Sequence, residues 1–298
     1  MGDNLEIQEH FKMTDGFDLF YRYWKAIGDA RKSVICIHGI GCHSEYFRFI
    51  GRDFAEDGIE VYALDLRGFG NSKEQDLPRG DTSNFRRHLQ DVDEAVNLIR
   101  KKHPNNKVYM FSHSLGGVYI LWYAANYPDS LDGVIIAAPP IKTASNEFPF
   151  RSRTDLIKIP FMLLFAPKTI YDFYKDITED FKESEEGKII LQDPLDTGKL
   201  SWRWLSSVKR NLIDKALKNA ARIETPALII QGEKDNSCLS SGAKQLYESL
   251  ATKDKIIKIL PDADHFFYHA LFIKTTPKHK PAKRKQVTTV VKNWLNTH

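Results

Sequence analysis

The residues with the clearest chemical meaning are Phe111-Ser112-His113-Ser114-Leu115-Gly116-Gly117, which lie between the apolar run Lys107 to Phe111 and a helical pattern. A serine at a sharp strand-to-helix turn is held in a strained backbone conformation that presents its hydroxyl above the sheet. The N–H groups that open the helix favour negative charge developing there. Small residues two places either side of the serine let strand and helix approach closely. Gly116 fills the second of these positions, and Ser112 stands at the first, where glycine is usual. Ser114 is therefore the candidate nucleophile.

A serine hydroxyl is barely ionised at neutral pH, so it needs a base, and the base needs a group to orient it. Where a turn of this kind is used, an acid follows the serine in the chain and a histidine follows the acid. Asp235 lies just past the apolar run Ala227 to Ile230, and His265 just past Ile256 to Leu260. Both would stand at the carboxyl edge of a parallel sheet, on the same rim as Ser114. Asp264 adjoins the histidine and would point elsewhere, and Glu233 precedes the turn of its loop. His269, one helical turn past His265, is the rival base, and His265 is preferred on order and edge. His113 adjoins the nucleophile and projects away from a base's position. His10, His88, His103 and His279 are read as surface or structural residues. An oxyanion needs two converging amides. The N–H of Leu115 is one, and the N–H of Ile40, freed on both sides by Gly39 and Gly41, is the other. Gly39, His113, Phe161 and Leu164 are the candidates for substrate contact, and no metal ligand set is read.

These groups require a scaffold. Glu6 to Met13 and Phe17 to Lys25 read as an antiparallel hairpin. Ser33 to His38, Ile59 to Leu64, Lys107 to Phe111 and Gly133 to Ala138 read as buried strands. Helical segments Ser44 to Glu56, Asn84 to His103 and Leu115 to Asn126 lie between them. This alternation predicts a parallel sheet with helices on both faces. It stops at Pro139-Pro140 and resumes at Pro226, with helix Ala243 to Ser249, strand Lys255 to Leu260 and a closing helix near Gln286 to Asn296. Between Ile141 and Glu224 only helical pieces are read: Leu156 to Leu164, Ile170 to Asp176 and Trp202 to Ala221. The division expected is an α/β core over residues 1–140 and 225–298, with a helical lid inserted at 141–224.

Composition narrows the class. The 298 residues suffice for one large domain, and 42% hydrophobic content is ordinary for a globular enzyme. A net charge of +4, spread along the chain, argues against a nucleic-acid partner. No secretory signal and no membrane-length apolar run is read. Cys36, Cys42 and Cys238 lack metal-ligand spacing and read as free thiols, which points to the cytoplasm. Lys274 to Lys285 is basic and without an acid; it reads as a solvated loop, with attraction to anionic headgroups as the alternative.

With Asp65-Leu66-Arg67-Gly68-Phe69-Gly70-Asn71-Ser72 added, the chain resembles the monoglyceride lipase and lysophospholipase branch of the α/β-hydrolases. That branch carries HGxGxHS at the oxyanion loop, D-x-R-G-x-G-x-S after the next strand, and G-H-S-x-G-G at the serine. Here they read His38 to Ser44, Asp65 to Ser72, and Ser112 to Gly117. The first glycine of the serine motif is absent, as is the acidic residue often found where Cys42 stands. The likeness covers about residues 5–140 and 225–298 and is weak across the lid. It implies the α/β-hydrolase fold, a Ser114–His265–Asp235 triad working through an acyl-enzyme, no cofactor, and a small lipid or ester substrate.

The lid segment concentrates apolar residues, Phe148, Phe150, Ile157, Ile159, Phe161 to Phe165, beside Arg151, Arg153, Lys158 and Lys168. They either pack the lid onto the core or line an acyl channel whose outer face touches a membrane. A general short-chain esterase or thioesterase is the neighbouring reading. From another class, the alternative is a catalytically inactive ligand-binding member of the same fold. Oligomeric state is not legible.

Overall fold

The computed structural model describes residues 6–144, 164, 166–175, 179–267 and 281–298. Its centre is an eight-stranded sheet built from β1 (Glu6–Lys12), β2 (Asp18–Trp24), β3 (Lys32–Ile37), β4 (Ile59–Leu64), β5 (Lys107–His113) and β6 (Gly133–Ala137). After a small two-stranded sheet, β7 (Ile170–Asp172) with β8 (Lys199–Ser201), the main sheet is completed by β9 (Ala227–Gly232) and β10 (Lys255–Leu260). The order across the main sheet is β1-β2-β4-β3-β5-β6-β9-β10. β2 pairs antiparallel with both β1 and β4, and the consecutive sheet neighbours β4, β3, β5, β6, β9 and β10 run parallel.

The alternation of side chains along a strand explains how this sheet is held. Val34 and Cys36 of β3, with Tyr109 and Phe111 of β5, bury in one core; Ile35, Ile37, Val108 and Met110 bury in the other. Both faces are therefore covered, as continuous apolar strands require. Helix α1 (Arg48–Glu56) and the C-terminal helix Pro281–Thr297 cover the first face, through Phe54, Val291 and Trp294. Helices α2 (Arg87–Lys102) and α3 (Leu115–Asn126) cover the second, through Val92, Val96, Ile99, Val118 and Ile120. At the far edge β10 buries only alternate positions, so Ile257 packs inward while Ile256 remains exposed.

The segment joining β6 to β9 departs from expectation in two places. The described part of the Ile170 to Asp176 piece, residues 170–175, is not a helix. Ile170–Asp172 pairs antiparallel with Lys199–Ser201, and Phe173–Lys175 forms a 3₁₀ turn. A three-residue aromatic, β-branched stretch took a strand partner almost thirty residues away, which local periodicity does not reveal. Trp202 to Ala221 is likewise not one helix but Trp202–Asn211, a 3₁₀ turn at Ile213–Lys215, and Ala216–Ala220. The break redirects the chain so that the last piece packs on α3, burying Ala216 and Ala220 beside Trp204, Leu205 and Leu212. The segment is also tied to the loop after β4. The buried Asp81 carboxylate accepts Ser201 Oγ at 2.5 Å and Arg203 Nε and Nη2 at 2.6 Å each. The helix expected at Leu156 to Leu164, apart from Leu164 itself, lies outside the described residues, as does the greater part of the basic run. Among the described residues no helix is long and apolar enough to cross a membrane.

Candidate active site

Ser114 sits between β5 and α3 with φ 54° and ψ −124°, a left-handed conformation that a non-glycine residue adopts only when its surroundings hold it there. They do. Its amide donates to Ala137 O at 2.9 Å, and its carbonyl accepts Gly117 N–H at 2.8 Å. The small residue at position 116 is required sterically, since a Cβ on Gly116 would lie 2.3 Å from Ile37 O of β3. The unusual Ser112 fits because its hydroxyl, fully buried, faces Ile135 O on the neighbouring strand at 3.4 Å.

The acid and the histidine meet as the sheet topology predicts. β9 and β10 are parallel neighbours, and the loops leaving them touch at Gly232, where a Cβ would lie 2.5 Å from Ala263 O and 2.6 Å from Asp264 O. Lys234 N–H then donates to Ala263 O at 2.8 Å. This close approach brings His265 Nδ1 to 2.9 Å from Asp235 Oδ2. The Asp235 carboxylate is buried and saturated: Gln231 Nε2 donates to Oδ2 at 2.9 Å, and the amides of Ser237 and Cys238 donate to Oδ1 at 2.9 and 2.8 Å. Burial pushes this carboxyl up, but His265 and these donors outweigh it and hold it below the ordinary range. Burial works against a charged His265, yet the Cys238 sulfur and the Asp235 carboxylate raise it well above an ordinary histidine.

Among the described residues no hydrogen bond reaches the Ser114 hydroxyl. The two halves are joined instead through His113, whose Nε2 lies 2.8 Å from His265 O and whose ring centroid is 4.7 Å from that of His265. Burial and the neighbouring His265 push His113 down to about 3, so it is neutral and donates its Nε2–H to that carbonyl. His265 thus stands beside the residue preceding Ser114. Apo enzymes often close the last hydrogen bond only around substrate.

The candidate oxyanion loop follows β3. A Cβ on Gly39 would lie 3.3 Å from Ser114 Cβ, so this backbone rests directly on Ser114. No hydrogen bond among the described residues occupies the amides of Ile40 or Leu115. His38 sets the loop's orientation. Its Nε2 accepts Leu66 N–H at 3.0 Å, so Nδ1 carries the proton and donates to Gly39 O at 2.8 Å. Burial, only partly offset by Gly39 O and Asp65, pushes His38 down to about 4 and keeps it neutral. The Gly39 carbonyl and the Ile40 N–H belong to one trans peptide and point oppositely, so pinning the carbonyl aims the amide. His38→Ala should therefore lower kcat about 10²-fold, as loss of an oxyanion donor does, with KM nearly unchanged. Steady-state kinetics on a soluble ester checks this.

The remaining candidates are placed as follows. Leu164 is 74% exposed, and Phe161 and His269 lie outside the described residues. Glu233 is exposed and accepts Asp262 N–H at 3.1 Å, and Asp264 accepts Phe266 N–H at 3.0 Å. His10 rests edge-on against Phe20, His88 is buried beside Tyr119, and His103 contacts Tyr62 OH at 2.7 Å. The motif Asp65 to Ser72 contributes architecture. Asp65 accepts the amides of Ser44 and Asn71 at 2.6 and 2.7 Å, while Arg67 pairs with Asp91 at 2.7 Å and covers the Phe17 ring. Residues not singled out from sequence also shape the site: Gln231 and Cys238 around the acid, and His38 beneath the oxyanion loop. A polar residue inside an apolar strand end, such as Gln231, was the available signal.

A family model described as serine aminopeptidase, S33, matches residues 28–272, most of the chain, with Ser114, Asp235 and His265 inside the matched span. The chain belongs to this family of α/β-hydrolases. Within it, the chain is 27% identical over 287 residues to the monoglyceride lipase of Rattus norvegicus, covering 96% of this chain and 89% of that one. It is 25% identical over 295 residues to the monoacylglycerol lipase of Mycolicibacterium smegmatis, covering 97% of each. Among solved structures, the monoacylglycerol lipase of Paleococcus ferrophilus superposes with a TM-score of 0.76 at 24% identity, over 94% of this chain and 99% of that one. At that identity the likeness establishes the α/β-hydrolase fold.

Proposed function

We propose that this family member is a serine carboxylic-ester hydrolase acting on monoacylglycerols or related single-chain lipids. The observation that carries the reading is the Asp235–His265 pair at 2.9 Å, on the same sheet rim as the strained Ser114. Near full-length similarity to proteins named monoglyceride lipase supports the choice of ester.

In the first step Ser114 Oγ attacks the ester carbonyl carbon, and its proton passes to His265 Nε2. The resulting imidazolium is stabilised by Asp235, whose position on Nδ1 also fixes the tautomer that leaves Nε2 free to accept. The amides of Ile40 and Leu115 hold the oxyanion. Collapse breaks the bond to the alcohol oxygen, which takes the proton from His265 and leaves as glycerol or another alcohol. Water, deprotonated by His265, then attacks the acyl-enzyme and frees the fatty acid and Ser114. Residues 141–224 are read as a cap over the acyl site, with Gly39, His113, Phe161 and Leu164 near the substrate and the cap meeting lipid.

A substrate panel tests the choice of ester. Hydrolysis of p-nitrophenyl esters should favour medium or longer acyl chains over acetate, and monoacylglycerol should be turned over. A profile peaking at acetate, with monoacylglycerol untouched, leaves a general esterase and removes the lipase assignment.

A further inference from the structure

A buried cluster of ionisable groups outside the proposed triad includes His43, at the end of the oxyanion loop. His43 Nε2 is 3.0 Å from Asp193 Oδ2 and 3.9 Å from Asp196 Oδ1, and the side chains of all three are no more than 4% exposed. Tyr46 OH donates to Asp196 Oδ2. His43, Tyr46 and the oxyanion loop belong to the core, whereas Asp193 and Asp196 belong to the segment inserted between β6 and β9. The same inserted stretch reaches the loop's backbone, since Thr197 N–H donates to Gly41 O at 2.9 Å. Gly41 has φ +72°, and a Cβ there would lie 2.2 Å from Thr197 O, so only glycine permits the contact. Within itself the loop from Gly39 to Cys42 has one weak backbone bond, Cys42 N–H to Gly39 O at 3.4 Å. Its shape is set from outside, by His38 beneath and by residues 193–197 above.

Three such donors could also surround a divalent cation, because their ligand atoms lie within 4.8 Å of one another. The other ring nitrogen argues for a hydrogen bond instead. His43 Nδ1 accepts Glu45 N–H at 3.4 Å, so the proton resides on Nε2 and is donated to Asp193.

We infer that Asp193 and His43 are positioning residues that latch the inserted segment onto the oxyanion loop, so that seating of the insertion sets the alignment of the Ile40 amide. The inference rests on the ester-hydrolase reading of the site. Because the latch acts on the transition-state oxyanion and not on the bound substrate, its loss appears in kcat and leaves KM in place.

Purified full-length protein and a soluble p-nitrophenyl ester provide the test. Asp193→Ala should lower kcat by roughly 10-fold to 100-fold, with KM within about threefold of wild type. A trifluoromethyl ketone, which forms a tetrahedral adduct with an oxyanion, should lose affinity in step with kcat, while binding of the fatty-acid product stays unchanged. Asp193→Asn, whose carbonyl can still accept the Nε2 proton, should recover most of the loss. If Asp193→Ala does not fold, His43→Gln, which keeps a donor at nearly the same reach, and His43→Ala serve as the conservative and deleting pair. Unchanged kcat in folded deletion variants overturns the latch, as does a loss confined to KM or to thermal stability. Activity lost on chelation and restored by Zn²⁺ overturns it in favour of a metal site. Failure of the wild type to hydrolyse any ester would sink the functional reading instead, so the two failures are distinguishable.

Discussion

Ser114→Ala should remove ester hydrolysis almost completely, lowering kcat by about 10⁶-fold, the loss seen when a triad nucleophile is deleted. The proposed acyl-enzyme route has no substitute for this oxygen, so what would survive is attack by water assisted by the Ile40 and Leu115 amides alone. The variant should fold. The left-handed backbone at this position is held by the Ala137 carbonyl and the Gly117 amide, neither of which involves the side chain. Among the described residues the hydroxyl makes no hydrogen bond whose loss would weaken the protein. Two measurements check the expectation: turnover of a p-nitrophenyl ester, and labelling by a fluorophosphonate, which attaches to the nucleophilic oxygen. Wild type should label and Ser114→Ala should not. Labelling that persists in the variant would place the nucleophile elsewhere. A wild type that neither labels nor turns over esters would instead fit a ligand-binding member of the family.

The second large effect concerns Asp235. Asp235→Asn should lower kcat about 10⁴-fold, because an amide fails to hold the tautomer with Nε2 free and gives the imidazolium no charge partner. The pH profile makes the test specific. His265 acts as a base only when neutral, so kcat/KM should rise with pH as its proton leaves. The Cys238 sulfur and Asp235 raise its pKa well above the ordinary value, so the limb should lie on the alkaline side of about 6.5. Removing the carboxylate removes one of the two groups favouring the charged form while burial still opposes it. The limb of Asp235→Asn should therefore move to lower pH even as the plateau falls. A plateau loss without that displacement would mean that Asp235 acts on structure and not on the charge of His265.

Both effects depend on contacts that join distant parts of the chain, and they mark where sequence reading succeeds. Strands Ile59–Leu64 and Lys255–Leu260 and helix Leu115–Asn126 stand where their patterns predict them. Each has a period or a continuous apolar run that depends only on neighbours along the chain. The same is true of the strand-to-helix turn at Ser114, which needs little beyond small residues at fixed spacing. The edge rule then places Asp235 and His265 on that rim before any distance is known, because parallel strands deliver all their outgoing loops to one side.

The insertion resisted this approach. Ile170–Asp172 is a strand only because Lys199–Ser201 comes alongside it, and the helix expected from Trp202 breaks at Leu212 so that Ala216 and Ala220 can reach α3. Neither cause is visible in a window of ten residues. The sheet, the serine turn and the loops that carry Asp235 and His265 were legible from local pattern and strand direction. Folding alone revealed that His38 pins the Gly39 carbonyl, that His113 tethers the loop of His265, and that Asp193 lies against His43. The last two are side-chain contacts, one to a backbone carbonyl and one to a carboxylate, between residues 152 and 150 apart, and their energies belong to pairs that spacing along the chain does not encode.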